Sequence, residues 1–218
     1  MALFRDRRDA GRKLAHELSA YANRSDVIVL ALPRGGVPVA YEVAQALHVP
    51  MDVFIVRKMG LPGHEELAFG AIASGGVLVL NEDVVQGFNV PSEVIDAVAQ
   101  RELRELQRRE RAYRGDRPAP HIQANTVILI DDGLATGASM RAAVRGLRAQ
   151  NPARIIVAVP TAAIETCQAL KPEVDEILCA TTPEPFYGVG RWYDDFSQTT
   201  DEEVHALLED AARQLQHG

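Results

Sequence analysis

Six short runs of the chain, 27–32, 51–56, 77–80, 126–131, 154–159 and 175–180, are mostly continuous in apolar residues and rich in β-branched ones. A strand with one wet face alternates apolar and polar positions, whereas a strand covered on both faces does not. The intervening segments 37–47, 136–150 and 162–170 have the length and spacing of helices. Strand and helix in alternation predict an α/β fold: a doubly wound, mostly parallel sheet with helices on both sides. Such sheets bind ligands at the carboxyl ends of their strands, which directs attention to the loops after Leu32, Val56, Asp131, Val159 and Ala180.

Three stretches fall outside this rhythm. Residues 3–21 read as an amphipathic helix with Leu14, Leu18 and Tyr21 on one face. Residues 91–114 read as a long helix with Ser92 as a candidate cap and a stripe of Ile95, Val98, Leu106 and Tyr113, within a helical insertion over about 82–117. From 181 onward the chain is first aromatic and then, from about Asp201, an acidic helix. No internal repeat is visible, and a single domain spanning 1–218 is expected.

Composition narrows the classes. The chain has 218 residues, 47% hydrophobic and 24% charged, which is globular usage, and its net charge of −7 opposes general adhesion to nucleic acid or anionic membranes. Seven arginines lie between Arg101 and Arg117, but Glu102, Glu105, Glu110 and Asp116 are interleaved, and Glu105/Arg109 and Glu110/Arg114 stand four apart. This reads as a solvated helix face rather than a nucleic-acid arm. No apolar run reaches the roughly 20 residues of a membrane span, and the start of the chain has no signal-like apolar region, so a cytoplasmic setting is expected. Cys167 and Cys179 form no CxxC or Cys/His cluster and are expected as buried free thiols in a reducing compartment.

The most informative stretch is 127–139, where Val-Ile-Leu-Ile leads into Asp131-Asp132 and then Gly-Leu-Ala-Thr-Gly-Ala-Ser. An apolar strand ends in two carboxylates, and a turn of small and hydroxyl residues opens a helix. The first turn of a helix offers unpaired N–H groups and the positive end of its dipole, and Gly137 and Ala138 let a phosphate approach the backbone. The lysine of a P-loop and the GxGxxG of a dinucleotide fold are both missing. A ribose phosphate fits better, its diol donating to Asp131 and Asp132 and its phosphate lying in the helix mouth.

At these thirteen residues the sequence resembles the type I phosphoribosyltransferases, whose motif for phosphoribosyl pyrophosphate (PRPP) is an apolar strand, two acidic residues and a small/hydroxyl loop. Gly133 and Ala135 depart from the common pattern, which has an apolar residue or Ser at the first position and a hydroxyl at the second. The resemblance implies a 5′-phosphate site at Leu134, Ala135, Thr136, Gly137, Ala138 and Ser139. It implies a pyrophosphate loop at Pro33, Arg34, Gly35 and Gly36, commonly with a cis peptide, here at Pro33–Arg34. It also implies a mobile catalytic loop over 57–76, which holds five of the sixteen glycines, with Arg57 and Lys58 meeting the pyrophosphate. His64, Glu65 and Glu66 are left without a firm role.

Five of the twelve aromatic residues lie within 186–196, after the last strand. The family's hood over the acceptor base lies at this end, which makes Tyr187 and Trp192 candidate stacking residues; packing of the C-terminal helix is the competing explanation. The resemblance covers about 25–182 and implies a Mg2+-dependent transferase, the metal carried by the substrate and met by Asp131 and Asp132 through hydroxyls or water. PRPP and a small heterocyclic acceptor, a purine favoured, are the expected partners, without nucleic acid or membrane; a homo-oligomer is compatible. The rival is a PRPP-binding regulator on the same fold that has lost catalysis.

Overall fold

A five-stranded parallel sheet forms the centre of the protein, in a computed structural model that describes residues 2–217. In chain order the first half comprises α1 (Arg7–Glu17), β1 (Val27–Ala31), α2 (Gly36–Leu47), β2 (Met51–Val53), β3 (Val56–Leu61), β4 (His64–Ala73), β5 (Val77–Leu80), α3 (Glu82–Gly87) and α4 (Ser92–Arg114). The second half comprises β6 (Thr126–Ile130), α5 (Ala138–Arg148), β7 (Arg154–Thr161), α6 (Ile164–Leu170), β8 (Glu176–Thr181) and α7 (Asp201–His217). The central sheet has the order β2-β1-β6-β7-β8.

Alternate side chains of the central strands enter two separate cores. Val29, Ala31, Ile128, Ile130, Ile156 and Ala158 pack with residues of α1, α2 and α7, while Ile28, Leu30, Val127, Leu129, Ile155 and Val157 pack with α5 and α6. Burial on both faces is why these strands read as unbroken apolar runs; each fully buried aliphatic side chain contributes roughly 1.5 to 3 kcal/mol.

The run 51–56 does not remain one strand. Met51–Val53 joins the parallel sheet, and Val56 begins a second, antiparallel sheet of order β3-β4-β5. The segment 57–76, expected as a mobile loop, is therefore mostly strand. Pro62 and Gly63 close the β3–β4 hairpin between the paired residues Leu61 and His64, and the positive φ of Gly63, 82°, suits the third position of a type II turn. This sheet has its own small core of Met59, Phe69 and Val98, the last from α4.

Helix α4 buries the expected Val98, Leu106 and Tyr113, but it is not a merely solvated face. Glu102 and Arg114 are buried, and Arg114 donates from Nε to Asp52 Oδ2 of β2 at 2.9 Å instead of pairing with Glu110. The Glu105–Arg109 pair forms as expected at 2.8 Å. Pro91 rather than Ser92 occupies the capping position. Cys167 and Cys179 are another correction: both are half-buried and are joined in a disulfide between α6 and β8, whose Cα atoms, 6.7 Å apart, lie within disulfide reach.

Candidate active site

The order of the central sheet reverses between β1 and β6, since the chain leaves β1 toward β2 on one side and leaves β6 toward β7 on the other. At such a point the loops leaving the two strands diverge and open a crevice. The loops concerned are those after β1 and β6, which contain the sequence-predicted Pro33–Gly36 and Asp131–Ser139. They touch: Leu32 N donates to Ile130 O at 2.8 Å, and a Cβ on Gly36 would stand 2.8 Å from that same carbonyl. Each loop runs directly into a helix, α2 or α5, so two positive helix ends converge on the crevice.

The loop after β6 is fixed from behind. Leu134 bridges to Ala162, with Leu134 N donating to Thr161 O at 3.0 Å and Ala163 N donating to Leu134 O at 2.9 Å. Thr166 Oγ1 donates to Ala135 O, and Gly137, at φ 71°, lies so close to Thr166 Cγ2 that a Cβ would come within 2.7 Å of it. Among the described residues, none of the hydrogen bonds that hold this loop starts from the amides of Ala135, Thr136, Gly137, Ala138 or Ser139. Thr136 and Ser139 are exposed on the same turn. Held carbonyls and unengaged N–H groups at a helix start make a cradle for an anion.

Asp131 and Asp132 stand at the mouth of this cradle. Burial pushes both carboxyls above the ordinary carboxylate range, Asp131 well above it with the neighbouring Asp132 charge adding to the effect. Arg7 of α1 opposes the rise at Asp132, donating from Nε to Oδ2 at 2.9 Å. Asp131 Oδ1 accepts from the Asp132 amide at 2.8 Å. Each carboxylate thus has one oxygen engaged, and no hydrogen bond among the described residues reaches the other.

The loop after β1 carries the expected cis peptide at Pro33–Arg34, and the amides of Arg34 and Gly35 donate no hydrogen bond within the described residues. The Arg34 side chain lies 3.6 Å from Asp201, the first residue of α7, whose other contact is the Tyr113 hydroxyl donating at 2.8 Å. Arg57 and Lys58 follow Val56 at the start of β3, but Arg57 is bound by Glu102 of α4, donating from Nε and Nη2 at 2.9 and 2.7 Å, while Lys58 is exposed. The structure does not bring their head groups together with Asp131 and Asp132.

The N-terminal and C-terminal segments close over the crevice together. Leu3 and Phe4 amides donate to Trp192 O at 2.9 and 3.0 Å, and Asp194 and Asp195 amides donate to Phe4 O and Arg5 O at 2.9 and 2.8 Å. Tyr193, between the Phe4 and Phe196 rings, donates its hydroxyl to Asp132 O at 2.6 Å, and burial raises its pKa. Trp192 packs half-buried in this cluster and against Phe186, with centroids 6.3 Å apart, whereas Tyr187 is 75% exposed. Arg7, Glu102, Val189, Tyr193 and Asp201 were not selected from the sequence as site residues. Tyr193 and Val189 lie in the aromatic segment, but the roles of all five come from contacts across the fold that no short motif displays. A cavity of about 1180 Å³ lies elsewhere, lined by Arg24, His48, Pro50 and Arg213 at the opposite ends of β1 and β2, and contains none of the expected site residues.

Unengaged amides at a helix start beside a carboxylate pair, at the switch point of a doubly wound, mostly parallel sheet, fit the phosphoribosyltransferase class. The chain belongs to that family: the phosphoribosyl transferase domain model matches residues 5–68 and 63–181. Two Mycobacterium tuberculosis proteins, from strains CDC 1551 and H37Rv, each provisionally named a phosphoribosyl transferase, are 45% identical over 213 residues, which is 98% of this chain and 48% of theirs. The chain therefore spans about half the length of these curated relatives. The crystal structure of TT1426 from Thermus thermophilus superposes with a TM-score of 0.84 at 41% identity, covering 96% of this chain and 99% of that one. A Neisseria gonorrhoeae hypothetical protein solved with bound ppGpp shares the fold alone, with a TM-score of 0.51 at 15% identity over 96% of each chain.

Proposed function

We propose that the protein transfers the phosphoribosyl group of PRPP to a ring nitrogen of a nucleobase-like acceptor, a purine favoured, with release of pyrophosphate. The observation that carries this reading is the set of unengaged amides at residues 135–139 beside two carboxylates that each keep one oxygen free. The 5′-phosphate lies on those amides and on the hydroxyls of Thr136 and Ser139. The ribose hydroxyls donate to Asp131 and Asp132. The pyrophosphate meets the Arg34 and Gly35 amides at the start of α2, with the Arg34, Arg57 and Lys58 side chains as its cations.

The bond from ribose C1 to the pyrophosphate oxygen breaks, a bond from C1 to the acceptor nitrogen forms, and the nitrogen's proton leaves to solvent or to the departing pyrophosphate. Positive charge gathers on the sugar as the leaving group departs, so water must be kept out and the growing negative charge matched. The family's usual Mg2+ is compatible with this donor set. Asp131 and Asp132 would meet a Mg2+ carried by PRPP through hydroxyls or water, since hard cations take oxygen ligands. Such an ion supplies neutralisation of the pyrophosphate.

The test is release of pyrophosphate from PRPP and Mg2+ across a panel of bases. Release that depends on one base supports the transfer and identifies the acceptor. PRPP binding without release for any base supports instead the regulator reading, to which the pairing of Arg34 with Asp201 and of Arg57 with Glu102 lends some weight. No PRPP binding defeats both.

A further inference from the structure

Resting on the PRPP reading, we propose that Arg7 is a positioning residue for the ribose clamp: it holds Asp132 by one carboxylate oxygen, aims the other at a ribose hydroxyl, and couples that carboxylate to the hood. Arg7 and Asp132 are 125 residues apart in sequence, on α1 and on the loop after β6, yet their side chains are only 12% and 14% exposed and meet at 2.9 Å. Exposed ion pairs are weak and mobile, whereas a pair so enclosed holds a defined geometry.

Two further contacts fix the guanidinium: Nη1 donates to Ser197 O at 2.6 Å, and the guanidinium carbon lies 4.0 Å over the Phe196 ring. Nε lies 3.3 Å from where a Cβ on Gly35 would stand. That Cβ would also collide with Asp132 Oδ2. The absent side chain of Gly35 is thus what lets the pyrophosphate loop, Arg7 and Asp132 close on one another.

The arrangement divides the labour of the carboxylate. Oδ2 faces α1 and the loop after β1, and its engagement by Arg7 fixes the side-chain rotamer; Oδ1 accepts nothing among the described residues. The backbone of the same residue is fixed from the other side, where Tyr193 donates to Asp132 O. Of the two residues that hold Arg7, Phe196 ends the aromatic segment that also carries Trp192 and Tyr187, and Ser197 follows it directly. A shift of this segment therefore moves Arg7, and with it the aim of Asp132. A lysine here keeps the charge but loses both the Nε–H donor and the planar face that stacks on Phe196.

The experiment is a double-mutant cycle on PRPP affinity, read by titration calorimetry with Mg2+ on wild type, Arg7→Gln, Asp132→Asn and the double variant. Arg7→Gln is expected to weaken PRPP binding about tenfold or more, the scale of one lost charge-assisted hydrogen bond, and to raise KM for PRPP more than it lowers kcat. With Asp132→Asn already present, the same change is expected to cost less than about twofold, because Arg7 acts through that carboxylate. Additive losses, or wild-type affinity in folded Arg7→Gln, overturn the proposal. If the Gln variant does not fold, Arg7→Lys replaces it in the cycle: a non-additive loss supports the proposal, and additive losses or wild-type affinity overturn it. Wild-type protein that fails to bind PRPP defeats the functional reading and this proposal with it, while wild-type binding that is indifferent to Arg7 defeats the proposal alone.

Discussion

Val189 Cγ1 stands 2.6 Å from the point that a Cβ on Gly133 would occupy, and Thr161 O lies 3.0 Å from the same point. Gly133 is one of the two departures from the common phosphoribosyltransferase motif, and the hood explains it: Val189 presses directly on the loop between the carboxylates and the phosphate cradle. Gly133→Ser is therefore expected to push the hood away, at about 1 to 3 kcal/mol of overpacking. Val189→Ala in the same chain should recover most of that loss. Chemical denaturation of the single and double variants checks it, and equal stability of Gly133→Ser and wild type would sink the explanation.

The carboxylate pair trades stability for its task. Burial raises the Asp131 pKa well above the unfolded value near 3.8, and the charge of Asp132 raises it further. For a carboxyl raised on folding, the unfolded chain loses its proton first as pH rises. Stability is then greatest below about pH 4 on this account and declines through the window up to the raised native pKa. Asp131→Asn removes that decline. It is expected to raise the melting temperature at pH 7 to 8 relative to wild type, by about 2 to 4 °C for each kcal/mol recovered, with the gain fading toward pH 4 while PRPP turnover collapses. A melting-temperature gain that does not vary with pH would contradict this.

Arg57 sits between structure and chemistry. Glu102 is 6% exposed and receives two hydrogen bonds from Arg57 as well as one from Arg101 at 3.0 Å. Glu102→Gln leaves the half-exposed Arg57 without its carboxylate and is expected to cost about 1 to 3 kcal/mol in denaturation. Arg57→Gln leaves the buried carboxylate with Arg101 as its cation and should cost a similar amount, and if Arg57 meets the pyrophosphate it should also raise KM for PRPP. If both variants lose stability but neither alters KM, Arg57 is structural.

What the sequence reveals and what it hides divides along the two sheets. Continuous apolar runs such as 126–130 and 154–159 can be read because both faces of the central strands are buried, and the carboxylate-and-cradle loop can be read because all its parts lie within thirteen residues. The hairpin of β3 and β4 is hidden: its glycines at 60, 63 and 70 and its polar tip at 64–66 resemble a flexible loop, while pairing with β5 and packing against α3 and α4 are contacts no local pattern displays. Arg7, Tyr193 and Asp201 are hidden for another reason. Each reaches the site across 60 residues or more of chain, from Arg7 to Asp132, Tyr193 to Asp132 and Asp201 to Arg34, and no local pattern marks such a meeting.

The two aromatic candidates for the acceptor separate by burial. The Trp192 ring packs half-buried on the cluster of Phe4 and Tyr193 with Val189, which gives it a packing duty in this segment. Trp192→Ala is expected to lower stability by about 3 kcal/mol, toward the low end for removing a large aromatic because the ring is only half-buried, and to weaken PRPP and acceptor binding together as the hood loosens. Tyr187 has no such duty: at 75% exposure its ring rests on little of the protein. Tyr187→Ala should leave stability within about 0.5 kcal/mol of wild type, the usual range for surface changes. If the ring stacks on the acceptor, that variant should lose about 1 to 3 kcal/mol of acceptor binding with PRPP affinity unchanged. Melting temperature, PRPP affinity and acceptor KM measured on both variants decide the matter. An unchanged acceptor KM in Tyr187→Ala would leave the stacking role to a ring other than Tyr187, and unchanged stability in Trp192→Ala would show that the hood does not depend on its tryptophan.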